Sequence, residues 1–163
     1  GGAGIYLIQF AKAKGATVYI TSRSEEKRRK ALELGADFAI DSEGVWNEEM
    51  DGKKVDVVIE SVGASTFNKA LDQLKRGGTL VAFGASTGDT VELNLRKFFY
   101  GQFNLLGSTM ASTEELHQML EFSEQHQIRP IIDQAHPLSG YEEAFKYLES
   151  ADMMGKIAFT IEE

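Results

Sequence analysis

The first four residues, Gly1-Gly2-Ala3-Gly4, have the composition of a loop that binds phosphate. They lead directly into residues 4–14, where apolar side chains recur at helical spacing. A helix N-terminus offers unpaired N–H donors, and glycines let the backbone come close to a pyrophosphate. In the Gly-x-Gly-x-x-Gly pattern Gly1 would be the second glycine and Gly4 the third. We therefore expect the first glycine, and the strand before it, to precede residue 1.

The next residues with relevant chemistry stand at the end of a predicted strand, 16–22. A carboxylate at this tip would hydrogen-bond a ribose 2′-hydroxyl and repel a 2′-phosphate. The tip instead carries Ser22 and Arg23, and a guanidinium can pair with a phosphate at two points. Lys27, about one helical turn on, would add a point charge. The pattern favours NADP(H) over NAD(H), unless one of the glutamates that follow turns toward the ribose. A polar turn with a helix cap is the alternative interpretation. Ser24 is predicted to be the N-cap of the helix that follows.

A sheet must position these residues, and the chain alternates strands with helices throughout. The predicted strands are 16–22, 36–40, 55–61, 79–84, 103–110, 131–136 and 155–161. The predicted helices are 4–14, 25–34, 65–75, 94–101, 113–125 and 140–150. Such alternation indicates an α/β fold: a Rossmann-like, doubly wound parallel sheet in three αβα layers, truncated before its first strand. The apolar run 55–61 predicts a strand covered on both faces.

Composition narrows the class of protein. The 163 residues suit one compact domain, and the net charge of −8 disfavours nonspecific nucleic-acid binding. The sequence contains no cysteine, so disulfides and thiolate metal sites are excluded. His117, His126 and His136 are not at metal-ligand spacing, and no metal is expected in this chain. No apolar run approaches the roughly 20 residues of a membrane span. A cytoplasmic protein is the expectation.

Segments along the whole chain resemble those of a known family. They are QFAKAKGA, EKRRKALELGAD, VDVVIESVG, LKRGGTLVAFG and EEAFKYLESADMMGKIAFTI. In this order and spacing they resemble the cofactor domain of the medium-chain dehydrogenase/reductase superfamily, most closely its zinc-independent quinone oxidoreductase and alcohol dehydrogenase-like branch. The resemblance implies an NAD(P)-binding Rossmann domain at 1–128. It also implies a C-terminal segment, 129–163, that packs with a catalytic domain preceding residue 1.

The resemblance also implies the cofactor contacts. From the pyrophosphate to the nicotinamide they are Gly1, Gly2, Ala3, Gly4, Ser22, Arg23, Lys27, Ser61, Val62, Gly63, Gly84, Ala85, Gly107 and Ser108. The first four would face the pyrophosphate and the next three the adenosine phosphate. Residues 61–63 would line the ribose, 84–85 the nicotinamide, and 107–108 its carboxamide through backbone groups. Glycines after strands are also ordinary turns. Asp41-Ser42 departs from the family, in which an aromatic residue often lies near the adenine.

The expected function is the NADP(H)-binding part of an oxidoreductase that transfers hydride between NADPH and a quinone, enone, aldehyde or alcohol. Its catalytic residues would lie in the preceding domain, so none is assigned here and this chain alone is expected to be inactive. A non-catalytic NADP(H)-sensing module remains an alternative. An S-adenosylmethionine-dependent methyltransferase is a more distant one, since it would normally carry an acid at the second strand's tip. The resemblance further implies a homodimer joined through strand 103–110.

Overall fold

Two compact units make up the computed structural model, which describes residues 1–161. One unit comprises Gly1–Glu43 and Thr113–Glu163, and the other comprises Gly44–Ser112. Every strand pair in the described chain is parallel, and helices flank the strands. The predicted α/β fold class is therefore confirmed.

The elements follow one another in the expected alternation. The helices are α1 (Gly4–Ala13), α2 (Glu25–Glu33), α3 (Trp46–Glu49), α4 (Phe67–Leu71), α5 (Leu95–Gly101), α6 (Thr113–Gln125) and α7 (Tyr141–Glu149). The strands are β1 (Tyr19–Ser22), β2 (Phe38–Asp41), β3 (Val55–Glu60), β4 (Leu74–Ala82), β5 (Asn104–Gly107), β6 (Ile132–Pro137) and β7 (Lys156–Thr160). A 3₁₀ turn, Leu138–Gly140, precedes α7.

The first unit is held by a core that joins its two ends. Its β1 pairs with β2, and β6 pairs with β7 in a separate two-stranded sheet. The buried core residues are Ile5, Ile8, Val18, Ala31, Ala36 and Met154. The apolar face of α1 predicted from helical spacing is therefore buried, and the segment before β7 packs against it.

Polar contacts also attach α1 to its neighbours. The Gln9 side-chain amide donates to the Arg129 carbonyl oxygen (3.2 Å) and accepts from the Arg129 N–H (3.3 Å), as a neighbouring strand would. Lys12 donates to the Asp37 carboxylate at 2.8 and 3.0 Å, and Asp37 also accepts from the Val18 N–H at 2.7 Å. Asp37 thus joins α1 to the start of β1.

In the second unit β4 lies between β3 and β5. The predicted helix 65–75 is wrong in its second half, because β4 already begins at Leu74. Val55 pairs with Leu74, but Val57 pairs with Thr79, so the residues between those partners on β4 bulge from the ladder. The lysine, arginine and glycines in that stretch obscure the strand pattern.

The prediction that 55–61 is covered on both faces is also wrong. Val57 and Ile59, on one face of β3, are 55% and 45% exposed. Glu60, on the other face, is buried. An apolar run reports which side chains favour burial, but it does not show that a covering layer is present.

Smaller differences concern strand and helix ends. The predicted strands 16–22 and 103–110 are shorter in the structure, as β1 and β5, and the one-turn helix α3 was not predicted. Each of β1, β3 and β5 pairs on one edge only within the described residues. The homodimer expected through 103–110 and the domain division at 128 stay predictions. None of the helices in residues 1–161 is both long and apolar enough to cross a membrane.

Asp37→Asn is expected to lower the melting temperature at pH 7. Hydrogen bonds from Lys12, and then from the Val18 N–H, hold the pKa of the Asp37 carboxyl below its usual range. The carboxylate therefore stabilises the fold above its unfolded-state pKa of about 3.9, and this stabilisation is lost as the pH falls through the folded-state value. Thermal unfolding from pH 7 to pH 3 measures the difference between variant and wild type, which should shrink with falling pH.

Asp56→Asn is the matched control. Asp56 also contacts a lysine, Lys75, at 2.8 Å, but its side chain is 79% exposed. An exposed pair of this kind contributes little to stability, so its removal should change the melting temperature less. An equal or larger effect of Asp56→Asn would contradict the role given to Asp37.

Candidate nucleotide-binding site

The glycine-rich loop forms the N-terminus of α1, as predicted. Ala3 is the N-cap residue, and its carbonyl oxygen accepts from the Tyr6 and Leu7 N–H groups, both at 3.1 Å. No side chain among the described residues caps this helix, and no acidic residue stands in its first turn. The first N–H groups of α1 and the positive end of its dipole thus face the loop.

The structure adds Lys156, a cation that the sequence analysis missed. A Cβ atom placed on Gly2 would lie 3.1 Å from Lys156 Nζ and 3.1 Å from the Gly155 carbonyl oxygen. Lys156 Nζ also lies 5.7 Å from the centre of the Tyr6 ring, in the first turn of α1. A side chain at Gly2 would thus need its neighbours to shift by a few tenths of an ångström, and β7 brings an ammonium group to the phosphate loop. Nothing local in the sequence links the first residue of the last strand to this loop.

Lys27 lies on the same side of the first unit. Its charge lies close enough to act on Gly1. The Lys27 ammonium donates to the Ala151 carbonyl oxygen. A phosphate contact by Lys27 would have to replace or share this hydrogen bond, and its predicted role stays a prediction.

At the tip of β1 the two residues predicted to bind the 2′-phosphate, Ser22 and Arg23, differ in their surroundings. Ser22 Oγ accepts from the Ser24 N–H at 3.3 Å. Arg23 is exposed, and no side chain in the described part of the chain pairs with its guanidinium. Ser24 caps α2 as predicted, by accepting from the Lys27 N–H at 3.3 Å.

One of the two glutamates that could weaken the NADP(H) preference is engaged elsewhere. Glu26 pairs with Lys30 one helical turn on, at 2.9 Å. This hydrogen bond is the main cause that lowers the pKa of the Glu26 carboxyl. Glu26 therefore faces along α2, while Glu25 is exposed in its first turn.

Arg28 is a second residue that the sequence analysis did not select. Its Nη1 donates to the Ser22 carbonyl oxygen at 2.6 Å and to the Arg23 carbonyl oxygen at 3.1 Å. The same nitrogen lies 3.3 Å from Asp41 Oδ2 at the tip of β2. The side chain of Arg28 thus ties the turn after β1 to the neighbouring strand.

In the second unit a buried carboxylate organises the loop after β3. Glu60 is 4% exposed, and its Oε1 accepts from the Val62 N–H at 2.5 Å and from the Gly63 N–H at 3.0 Å. Its Oε2 accepts from Thr66 Oγ1 at 2.9 Å. Both oxygens are therefore satisfied, and the predicted ribose loop 61–63 is fixed at the strand end.

The loops after β3 and β4 pack backbone against backbone. A Cβ atom on Gly63 would lie 2.4 Å from the Gly88 carbonyl oxygen, and one on Gly84 would lie 2.6 Å from the Ser61 carbonyl oxygen. The Val62 carbonyl oxygen accepts from Thr87 N and from Thr87 Oγ1, both at 2.8 Å. The predicted residues at 61–63 and 84–85 are thus brought together.

The last two predicted residues lie at the end of β5. Gly107 pairs in register with Ala82, and the Ser108 N–H donates to the Ala82 carbonyl oxygen at 2.9 Å. A Cβ atom on Gly107 would meet no heavy atom within 4 Å. Since the Ser108 N–H is used in the sheet, a backbone contact from Ser108 to a carboxamide would fall to its carbonyl group.

The predicted contacts form two groups, one in each unit. Those at residues 1–27 belong to the first unit, and those at residues 61–108 belong to the second. Apart from the loop at α1 and Lys27 in α2, each lies at or just after the carboxyl end of a parallel strand, where ligands of such sheets bind. Within residues 1–161 no three His, Asp or Glu side chains are grouped closely enough to hold a metal ion.

Comparison with known proteins agrees with this arrangement. The sequence model described as zinc-binding dehydrogenase matches residues 2–125. The chain belongs to the zinc-binding dehydrogenase family. This family is part of the medium-chain dehydrogenase/reductase superfamily, so the resemblance noted from the sequence is confirmed. The residues described offer no ligand set for the zinc of the family's name.

Individual members of the zinc-binding dehydrogenase family match over nearly the whole chain. A zinc-type alcohol dehydrogenase-like protein of Leptosphaeria maculans is 28% identical over 175 residues, which cover 99% of this chain and 48% of that protein. An acryloyl-coenzyme A reductase of Sulfurisphaera tokodaii is 30% identical over 96% of this chain and 47% of that protein. A probable quinone oxidoreductase of Schizosaccharomyces pombe is 38% identical over a shorter match, 54% of this chain and 28% of that protein. The chain spans about half the length of the curated relatives it matches.

Solved structures of an NAD-dependent enzyme and of a protein complexed with NADPH share the fold. A NAD-dependent alcohol dehydrogenase has a TM-score of 0.87 and 34% identity, over 99% of this chain and 49% of that chain. A mycobacterial protein complexed with NADPH has a TM-score of 0.78 and 25% identity, over 98% of this chain and 53% of that chain. Fold similarity alone therefore does not separate NADP(H) from NAD(H).

Gly63→Ala is expected to lower the free energy of unfolding of the full-length protein by about 3 kcal/mol or more, since it combines backbone strain with a steric clash. Gly63 has a φ of +96° and the 2.4 Å approach described above. Gly77→Ala is the matched control, because Gly77 has a φ of +79° and no heavy atom within 4 Å of its Cβ position. That variant should lose only the strain of a left-handed residue, about 1–2 kcal/mol. Equal losses in denaturant unfolding would contradict the close approach.

Proposed function

We propose that this chain is the NADP(H)-binding part of an oxidoreductase that transfers hydride between NADPH and a quinone, enone, aldehyde or alcohol. The observation that carries the proposal is the exposed guanidinium of Arg23 at the carboxyl end of β1, where NAD(H)-binding proteins place an acid. The names of the relatives, which include alcohol dehydrogenase, quinone oxidoreductase and acryloyl-coenzyme A reductase, support the reaction class.

Each group of residues has a defined part in binding. The N–H groups at the start of α1 and the Lys156 ammonium would bind the pyrophosphate, because both present positive charge to the loop. Ser22 and Arg23 would bind the adenosine 2′-phosphate. The loops at 61–63 and 84–85, fixed by Glu60 and by their mutual packing, would position the ribose and nicotinamide.

When bound, the nicotinamide supplies the hydride, and the protein supplies position and electrostatics. Within this chain we assign no general acid or base. We infer that the groups that contact the substrate belong to another part of a longer, cytoplasmic protein. Coupled oxidation of NADPH by the full-length protein with a panel of quinones, enones and aldehydes tests this. Tight NADPH binding with no turnover across the panel would favour the sensing module instead.

Arg23→Ala is expected to weaken NADPH binding about tenfold or more, because it removes a pair of charge-assisted hydrogen bonds to the 2′-phosphate. The dissociation constant of NADH should stay within about twofold of the wild-type value. Titration of the full-length protein, followed by nicotinamide fluorescence, measures both dissociation constants. Arg29→Ala removes the same charge from an exposed position of α2 and should leave both constants unchanged. Equal affinity of the wild type for NADPH and NADH would refute the NADP(H) preference.

Lys156→Ala is expected to weaken NADPH and NADH binding by the same factor, about tenfold, because both dinucleotides carry the pyrophosphate. Lys156→Arg keeps the charge and should retain most of the affinity. Lys156 is exposed, so the melting temperature should change little. A loss of affinity confined to NADPH would contradict a pyrophosphate contact and indicate that Lys156 contacts the 2′-phosphate instead.

A further inference from the structure

The tips of β1 and β2 carry an ion pair that the proposed binding of NADP(H) does not by itself explain. Arg28 Nη1 lies 3.3 Å from Asp41 Oδ2, and the side chains of these residues are 21% and 39% exposed. The other carboxylate oxygen of Asp41 accepts from the Glu43 N–H at 2.9 Å. The carboxylate is thus held at the strand end through both oxygens.

The position of Asp41 makes its charge relevant to the nucleotide. Asp41 is the register partner of Ser22, the first of the proposed 2′-phosphate ligands. Neighbouring strands lie about 4.8 Å apart, so the carboxylate stands one strand away from the proposed phosphate position. An unpaired carboxylate at this distance would repel a 2′-phosphate, which carries more negative charge than the 2′-hydroxyl of NADH.

The same arginine also fixes the turn that presents Arg23. Its Nη1 donates to the Ser22 and Arg23 carbonyl oxygens, so it holds the peptide groups on both sides of the Arg23 Cα atom. Arg23 itself is exposed and uses its guanidinium for no contact among the residues described. Arg28 is therefore committed to contacts within the protein, whereas Arg23 is available to a ligand.

We propose that Arg28 is a positioning residue that determines cofactor specificity: it neutralises Asp41 and fixes the Ser22–Arg23 turn, so that the site accepts a 2′-phosphate beside an acidic strand tip. This inference rests on the proposed NADP(H) binding. It predicts that loss of the Arg28 charge makes the charge of Asp41 unfavourable for NADPH binding.

The test compares Arg28→Met with the double variant Arg28→Met/Asp41→Asn in the full-length protein. Arg28→Met should raise the dissociation constant of NADPH about tenfold and that of NADH less than about threefold, because the repulsion acts mainly on the 2′-phosphate. The double variant should recover most of the NADPH affinity. Arg29→Met, which removes the same charge from the next residue of α2, should leave both constants unchanged.

Two further measurements separate electrostatics from loss of structure. The defect of Arg28→Met should shrink as salt rises from low ionic strength to about 0.5 M, since the repulsion is screened. Asp41→Asn in the wild-type background, which does not depend on the folding of the Arg28 variant, should leave NADPH binding as tight or tighter. The melting temperature of each variant records its folding.

The outcomes distinguish this inference from the proposed function. A wild type that binds neither nucleotide, or binds both equally, would overturn the NADP(H) proposal and the inference together. Selective wild-type binding of NADPH would leave that proposal standing. The inference would then be overturned if Arg28→Met weakened both nucleotides equally, if Asp41→Asn failed to restore NADPH binding, or if Asp41→Asn alone weakened it.

Discussion

Close approach of backbone to backbone shapes the loops after β3 and β4 and the turn before β7. Cβ atoms placed on Gly63, Gly84 and Gly155 would lie 2.4 to 2.6 Å from the carbonyl oxygens of Gly88, Ser61 and Ile131. Distances of this size leave no room for a side chain, so these turns require glycine. Because the loops can approach so closely, backbone groups rather than side chains line much of the proposed nucleotide site. That is the surface that a dinucleotide, rich in phosphate and ribose oxygens, can approach.

Around the tip of β1 two acidic side chains are paired with basic ones. Glu26 pairs with Lys30, and Asp41 pairs with Arg28. The guanidinium of Arg23 stays exposed beside them. In an acidic chain of net charge −8, the proposed binding of a highly charged nucleotide would depend on such local pairing more than on the overall charge.

The phosphate loop depends on residues from the opposite end of the chain. Lys156 lies beside Gly2, and Met154 shares a core with Ile5 and Ile8. The first residues and the last strand therefore form one compact unit. Loss of the packing before β7 would remove a cation from the loop as well as apolar contacts from α1, which couples the stability of this unit to its proposed binding function.

Local patterns in the sequence determined the alternation of helices and strands, the cap at Ser24, the glycine loop at α1 and the family. These features depend on neighbouring residues or on short periodicities, which a linear sequence displays directly. Tertiary structure alone decided that Lys156 reaches Gly2, that Arg28 joins Ser22 to Asp41, and that Val57 and Ile59 are exposed. Each of these facts is a relation between elements. Helical or strand spacing specifies which face of an element is apolar, but only packing determines what that face meets.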